Sequence, residues 1–449
     1  MTRTDGSTAN ATPNAPVECF RGPITLNDGH QELTADGSIS WRWLPRPMLA
    51  FSIPETRGLL TILGEVKLQI PGGKPVRAHV TRMHAGSHEP TRVAGQLHDR
   101  LEIGTDSNLR EVHFQIPNLS EFISVPNDGS PDWRIGRVKL SGGGWNVVVD
   151  AVPHLKKLQE EMREVGGFGI THTALARRAD GSAFGSDQIT DLSSCLYYFL
   201  SFVEGNWIGV ILPRGRGADG EELWRAYAPW RLEPWQDVLS WADRHGGSML
   251  SGAFAGFMTR WAEAAWRELL KLAIYWHIES NRNGAGLEAG IVLSQGALDA
   301  IAWQYLVLDQ KTLSRSKFKS MSASERLRHL AGLAGIPLAM PPDAVVMRRN
   351  AGPNQWVDLV DAITAVRNMI VHPDSKDRQH LFMSEMPQEA WLSGSWLLEL
   401  MTLWLIGFRG TYNDRRKSRR FVGDVATVPW AWSPTGTGPC VDDSRIAGL

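Results

Sequence analysis

Residues 392–408, LSGSWLLELMTLWLIGF, decide how the second half of this chain is read. The run is almost wholly apolar, yet it is short for a bilayer crossing, which takes about 20 such residues. It also carries Glu399. A charge in the middle of a short apolar run fits a helix buried in protein rather than in lipid. The expectation is a bundle helix over 387–408, opened by Pro387. Working outward, 356–372 reads as a helix stopped by Pro373, and 286–308 (GLEAGIVLSQGALDAIAWQYLVL) as another. Segment 322–335 begins with Ser322 and Glu325, a capping-box spacing, and ends before Pro337. Residues 254–280 read as one long Trp-rich helix. Together these predict a helical bundle over 251–412, followed by a basic, irregular tail over 413–449 that holds Pro429, Pro434 and Pro439.

The first half follows a different rule. Between residues 19 and 150, segments such as 59–70, 76–83, 111–116, 134–140 and 145–149 alternate in polarity and favour β-branched residues. Turn formers such as PGGKP and PNDGSPD separate them, so a sandwich-like β domain or a curled antiparallel sheet is expected. Residues 151–250 form a mixed α/β segment. It has a helix over 153–165 that buries Leu155, Leu158, Met162 and Val165, and a second helix ending at Gly205 ahead of a buried strand. Residues 1–18 are small and polar, without the apolar stretch of a signal peptide, and read as a disordered tail. The fold class is therefore multidomain α+β, β-rich first and all-α last.

Composition narrows the function. At 449 residues, two or three domains are expected, and a net charge of −1 supplies no global field for nucleic acid. Cys19, Cys195 and Cys440 are too far apart for a zinc knuckle or a disulfide framework, so a reducing cytoplasm is the expected setting. His79, His84 and His88 read as loop histidines, because no acid or cysteine completes a standard metal spacing; neither metal nor cofactor is expected. The 19 tryptophans, 15 of them after residue 200, recur at helical spacings and read as core.

The chemistry lies in DLVDAITAVRNMIVHPDS, residues 358–375. Arg367, Asn368 and His372 bring a permanent cation, an amide and an imidazole together at a helix end. Asn368 and His372 share a helix face, whereas Arg367 lies roughly 140° from His372. A shared groove between two copies of this helix would bring both groups onto one substrate, so a homodimer through the bundle is expected. The spacing alone is weak. Arg77/His84, Arg82/His88 and Arg92/His98 also satisfy it, in a strand-like region where they are coincidences. Glu288 and Asp299, three helical turns apart, are candidate supporting acids. Lys317 and Lys319 lie in one basic cluster between bundle helices, with Lys311, Arg315, Arg326 and Arg328. Arg415, Arg416 and Lys417 lie in a second, just past the last helix. Both are candidate RNA contacts.

The segment AVRNMIVHP, late in a helical bundle, resembles the HEPN superfamily, whose ribonucleases carry Arg, four to six residues, then His. SQGALDAIAWQYLV with Glu288 is similar to the second bundle helix of the ApeA-like bacterial branch, and the stretch from YYFLSFVEG onward resembles what precedes the bundle there. The resemblance covers roughly residues 195–412. It implies a metal-independent endoribonuclease acting as a dimer, in which a ribose 2′-hydroxyl attacks the neighbouring phosphate. Arg367 would steady the phosphate, Asn368 would orient it or the imidazole, and His372 would move the proton. It further implies antiphage defence by abortive infection, with RNA such as tRNA as target, a phage-derived activator at the N-terminal region, and no membrane. The alternatives are a non-catalytic dimerisation or RNA-binding bundle, and a β domain that recognises a carbohydrate or peptide ligand.

Overall fold

The computed structural model describes residues 12–56, 63–84, 91–124, 134–282, 286–372, 384–417, 421 and 423–431. The strands in chain order are β1 (Val17–Asn27), β2 (Glu32–Arg42), β3 (Met48–Thr56), β4 (Gly64–Gln69), β5 (Val76–His84), β6 (Thr91–Leu97), β7 (Leu101–Gly104) and β8 (Glu111–Pro117). They continue with β9 (Ile123–Ser124), β10 (Arg134–Ile135), β11 (Arg137–Gly142), β12 (Trp145–Ala151), β13 (Ile170–Arg178), β14 (Ile211–Arg216) and β15 (Glu222–Tyr227). The chain divides into two compact units, one of residues 1–121, 144–197 and 207–237, the other of 122–143, 198–206 and 238–449.

In the first unit β1 to β6 close into a barrel in the order β1-β2-β3-β6-β5-β4. Of the two expected forms, the curled antiparallel sheet is the one adopted, and its curling goes to closure, which leaves no unpaired edge. Alternation explains it: Val66 and Leu68 on β4, and Ala78 and Val80 on β5, point inward, while the residues between them face out. Gly95 on β6 permits the tight pairing with β5, since a Cβ there would sit 2.1 Å from the carbonyl oxygen of His79. A further antiparallel run, β12-β13-β8-β14-β15-β7, shares the barrel's core through Phe168, Ile170, Ile211 and Tyr227. Helix α1 (Leu155–Val165) buries Leu155, Leu158 and Met162 as expected, but Val165 is exposed because the helix ends there at Gly166. Residues 12–18 are not a loose tail. Asn14 bonds the backbone of Gly166 and Phe168, and Val17 is buried at the start of β1. Residues 1–11 lie outside the described residues.

Helix α2 (Ser186–Glu204) ends at Gly205, whose φ of +75° suits a residue without a side chain. The second unit then carries α3 (Met249–Ala262), α4 (Ala264–Asn281), α5 (Gly286–Trp303), α6 (Arg315–Ser320), α7 (Ala323–Leu333), α8 (Val345–Ala351), α9 (Leu359–Val371) and α10 (Met386–Leu405). The single long helix expected over 254–280 is two, broken at Glu263, whose ψ of 112° is extended. Arg267 takes up the carbonyl of Trp261 freed by the break. Helix α5 passes into a π-helical turn over Gln304–Asp309. Gly256 on α3 meets the last turn of α10 closely, leaving 1.7 Å between a Cβ there and the Ile406 carbonyl oxygen. Trp261, Trp266, Trp396 and Trp404 are buried, which agrees with the core reading of these rings.

Among the described residues one helical stretch, Gly286–Asp309, is long and apolar enough to cross a membrane by length and composition. Its Ile291, Leu298, Ile301 and Leu306 are buried within this unit. The segment after α10 is not an irregular tail throughout: Thr411–Tyr412 (β16) pairs with Ala426–Thr427 (β17), and Trp430 donates to the carbonyl of Phe408 at 2.6 Å. Residues 432–449 lie outside the described residues.

Candidate functional site

Helix α9 is fixed at its start by charge. Asp358 caps it, accepting from the Asp361 backbone N–H at 3.1 Å. Arg328 on α7 grips both acids, at 2.6 Å to Asp358 Oδ2 and 2.8 Å to Asp361 Oδ1. Burial works against the Asp361 carboxylate, yet hydrogen bonds from Ser324 and Arg328 hold its pKa below the usual range. These pairs raise the Arg328 guanidinium above its already high value. Along the helix Leu359, Val360, Ile363 and Val366 are buried, and Gln295 on α5 donates to the Ile363 carbonyl at 2.5 Å.

The last turn of α9 emerges from the core. Arg367 is half-buried, and Asn368 and His372 are exposed. Arg367 Nη1 donates to Asn368 Oδ1 at 3.1 Å, so the amide oxygen serves the guanidinium. His372 is the C-cap, its φ of −96° and ψ of 122° leaving the helix while its N–H still reaches the Asn368 carbonyl at 3.0 Å. The i,i+4 stacking expected of Asn368 and His372 therefore does not continue as a regular helix face. Pro373, expected to stop the helix, lies outside the described residues. The arrangement offers one cation, one amide and one imidazole on an open surface next to Val371, which is 38% exposed.

The supporting residues scatter. Glu288 is half-buried in the first turn of α5, and Asp299 is taken by Arg326 at 3.0 Å. Of the first basic cluster, Lys317 and Lys319 are exposed on α6, whereas Arg326 and Arg328 are spent on acids. The second cluster is corrected more severely. Arg415 is fully buried and bidentate to Glu399, at 2.6 and 3.0 Å, with further bonds to Asn281 Oδ1 and the Leu239 carbonyl. Arg416 pairs with Asp414 and lies over the Trp396 ring, and Lys417 pairs with Asp424 at 2.6 Å. The RNA-binding expectation for Arg415 is overturned by its burial, and Arg416 and Lys417 are already neutralised.

Sequence reasoning missed that network. Glu399, the charge that argued against a membrane helix, is the buried partner of Arg415, with His277 Nε2 at 3.5 Å from the same carboxylate. His277 is buried, but neither ring nitrogen makes a hydrogen bond within the described structure. Burial, reinforced by the positive charge of Arg415, holds its pKa well below the ordinary imidazole value. One signal was available: an unexplained Glu inside an apolar helix requires a cation, and the first arginines after the helix are the nearest in sequence.

The protein thus comprises a β-barrel unit with a further antiparallel sheet and a helical unit that presents an Arg–Asn–His surface. Residues 104–238 match the family model described as the YopA central domain, and residues 263–427 the one described as the YopA C-terminal domain. Over 436 residues the chain is 24% identical to the SPbeta prophage-derived uncharacterized protein YopA of Bacillus subtilis (strain 168), a match covering 93% of this chain and 95% of that protein. No solved structure matches. Arg367, Asn368 and His372 lie within the segment matched as the C-terminal domain.

Proposed function

We propose that the helical unit is a HEPN-type bundle of the ApeA-like kind and that the protein is a metal-independent endoribonuclease acting as a homodimer. The observation that carries the reading is the exposed end of α9, where Arg367, Asn368 and His372 stand free of the core at the end of an otherwise buried helix. Arg367 neutralises charge gathering on the phosphate, the larger electrostatic contribution, and Asn368 fixes the guanidinium. His372 takes the 2′-hydroxyl proton as the 2′-oxygen bonds to phosphorus. The bond from phosphorus to the 5′-oxygen breaks, and that oxygen takes a proton from imidazolium or water, leaving a cyclic phosphate and a free 5′-hydroxyl. Exposed Lys317 and Lys319 supply backbone contacts. The half-covered apolar residues Met369 and Ile370, with exposed Val371, leave the last turn of α9 a surface for a second copy. The reading places the enzyme in the cytoplasm, acting on RNA such as tRNA during phage–host conflict. The prophage origin in the relative's name fits that setting. The first unit would then sense a phage-derived activator.

Incubating the purified protein with mixed RNA in EDTA tests this. Cleavage leaving cyclic phosphate ends, lost in Arg367→Ala and in His372→Ala, is the expected result. RNA binding without cleavage by the wild type would instead favour a non-catalytic dimerisation or RNA-binding bundle.

A further inference from the structure

We infer that the barrel carries a divalent transition-metal site formed by Glu65, His79 and His98, of the kind that takes zinc. The three come from separate segments of the barrel chain. Glu65 on β4 is directly paired with His79 on β5, and His98 follows β6, its N–H donating to the Arg77 carbonyl at 3.0 Å. Their donor atoms converge on one point of the outer wall. His79 Nδ1 lies 3.1 Å and His98 Nε2 3.7 Å from the same oxygen, Glu65 Oε1, and all three donors fall within 4.8 Å of one another. Metal bonds of about 2 Å in a tetrahedral site set donor separations of roughly 3.3 Å, so small side-chain rotations complete the triangle.

A surface ion pair would need only one imidazole against the carboxylate. Here two rings, with centroids 6.2 Å apart and planes at 70°, approach one oxygen from β5 and from the residue after β6. Two imidazoles and a carboxylate form a donor set for zinc and its neighbours, whereas calcium and magnesium take oxygen donors. Three protein ligands leave a fourth position open. Glu65 and His98 also line a cavity of about 740 Å³ with Asn27, Asp28 and Lys67, so the open position faces space for water or a small anionic ligand. The nearest guanidinium does not compete for the carboxylate. Arg77 is held by Asp99 at 2.7 Å, which in turn brings the Asp99 carboxyl down to about 2. The closed barrel fixes the strands, so the donors are already gathered before the metal arrives.

The test uses the full chain, stripped with chelator and dialysed, then titrated with zinc by calorimetry and with cobalt(II) by visible absorption. The expected result is one saturable site with the intense absorption of four-coordinate cobalt. Glu65→Gln, His79→Ala and His98→Ala should each weaken it at least about tenfold. His329→Ala, in the other unit, should leave it unchanged. Circular dichroism checks that the variants keep their fold, and the exposed positions of these side chains predict that they do. Absence of a stoichiometric site in the wild type, or an unaltered site in the His79→Ala/His98→Ala double variant, would overturn the assignment.

Discussion

Arg415 illustrates how a single residue's environment decides its role. In sequence it belongs to a basic run that could meet phosphate; in the fold it is the partner of a carboxylate with no access to water. Removing one member of such a pair leaves an uncompensated buried charge, which costs about 3–5 kcal/mol, whereas replacing both by apolar residues is often close to neutral. Arg415→Met should therefore destabilise the protein by that amount in urea unfolding, and Arg415→Met with Glu399→Leu should recover most of it. Equal destabilisation by the single and double variants would refute the pairing argument. Histidine gives the pH dependence. Burial holds His172 at about 3, and burial with Arg415 holds His277 well below its ordinary value, so both are neutral in the folded state. In the unfolded chain each gains a proton near pH 6.5, so their contribution is full above that value and falls as pH drops, for His172 until about pH 3. His172 should lose about 2 kcal/mol of its contribution between pH 7 and pH 5, and His277 acts in the same direction. The His172→Gln/His277→Gln variant should lose less stability than wild type over that interval, as read from urea midpoints at the two pH values.

At the scale of elements, what could be read in the sequence was what local chemistry dictates. Ser322 and Glu325 announce the start of α7, and both halves of the capping box are present. The alternation within 59–70 and 111–116 announces β4 and β8, whose residues alternate in burial. What could not be read depends on partners distant in sequence. The Glu65–His79–His98 cluster escaped because a search by spacing joins neighbours along the chain, whereas strand register joins residue 65 to 79 and brings 98 alongside. The break at Glu263 escaped because the hydrophobic pattern runs through it unaltered, while contacts of Arg260 and Arg267 support it in the fold. Helix α9 offers an element-scale prediction, since its start rests on Asp358. Asp358→Ala removes a cap worth about 1 kcal/mol together with one arm of the Arg328 clamp. Amide exchange over residues 359–372 should accelerate more than over α10. Uniform acceleration of both helices would mean that packing rather than the cap governs α9.

For the whole molecule, the ribonuclease reading requires that two chains share their catalytic groups, and mixing variants isolates that requirement. If the groove takes Arg367 from one protomer and His372 from the other, a dimer of Arg367→Ala with His372→Ala has one site with both groups missing and one site intact. Random exchange makes about half the dimers mixed, so activity should return to roughly a quarter of wild type, although either variant alone is inactive. If each protomer instead carries a self-contained site, no mixture restores anything, because every site still lacks one group. Val371→Asp places a charge on the exposed apolar residue beside His372. In the shared-groove case it should lower both the sedimenting mass and the activity, in step with protein concentration. A dimer that persists in Val371→Asp while cleavage is lost would locate the interface elsewhere and leave α9 as an unshared surface.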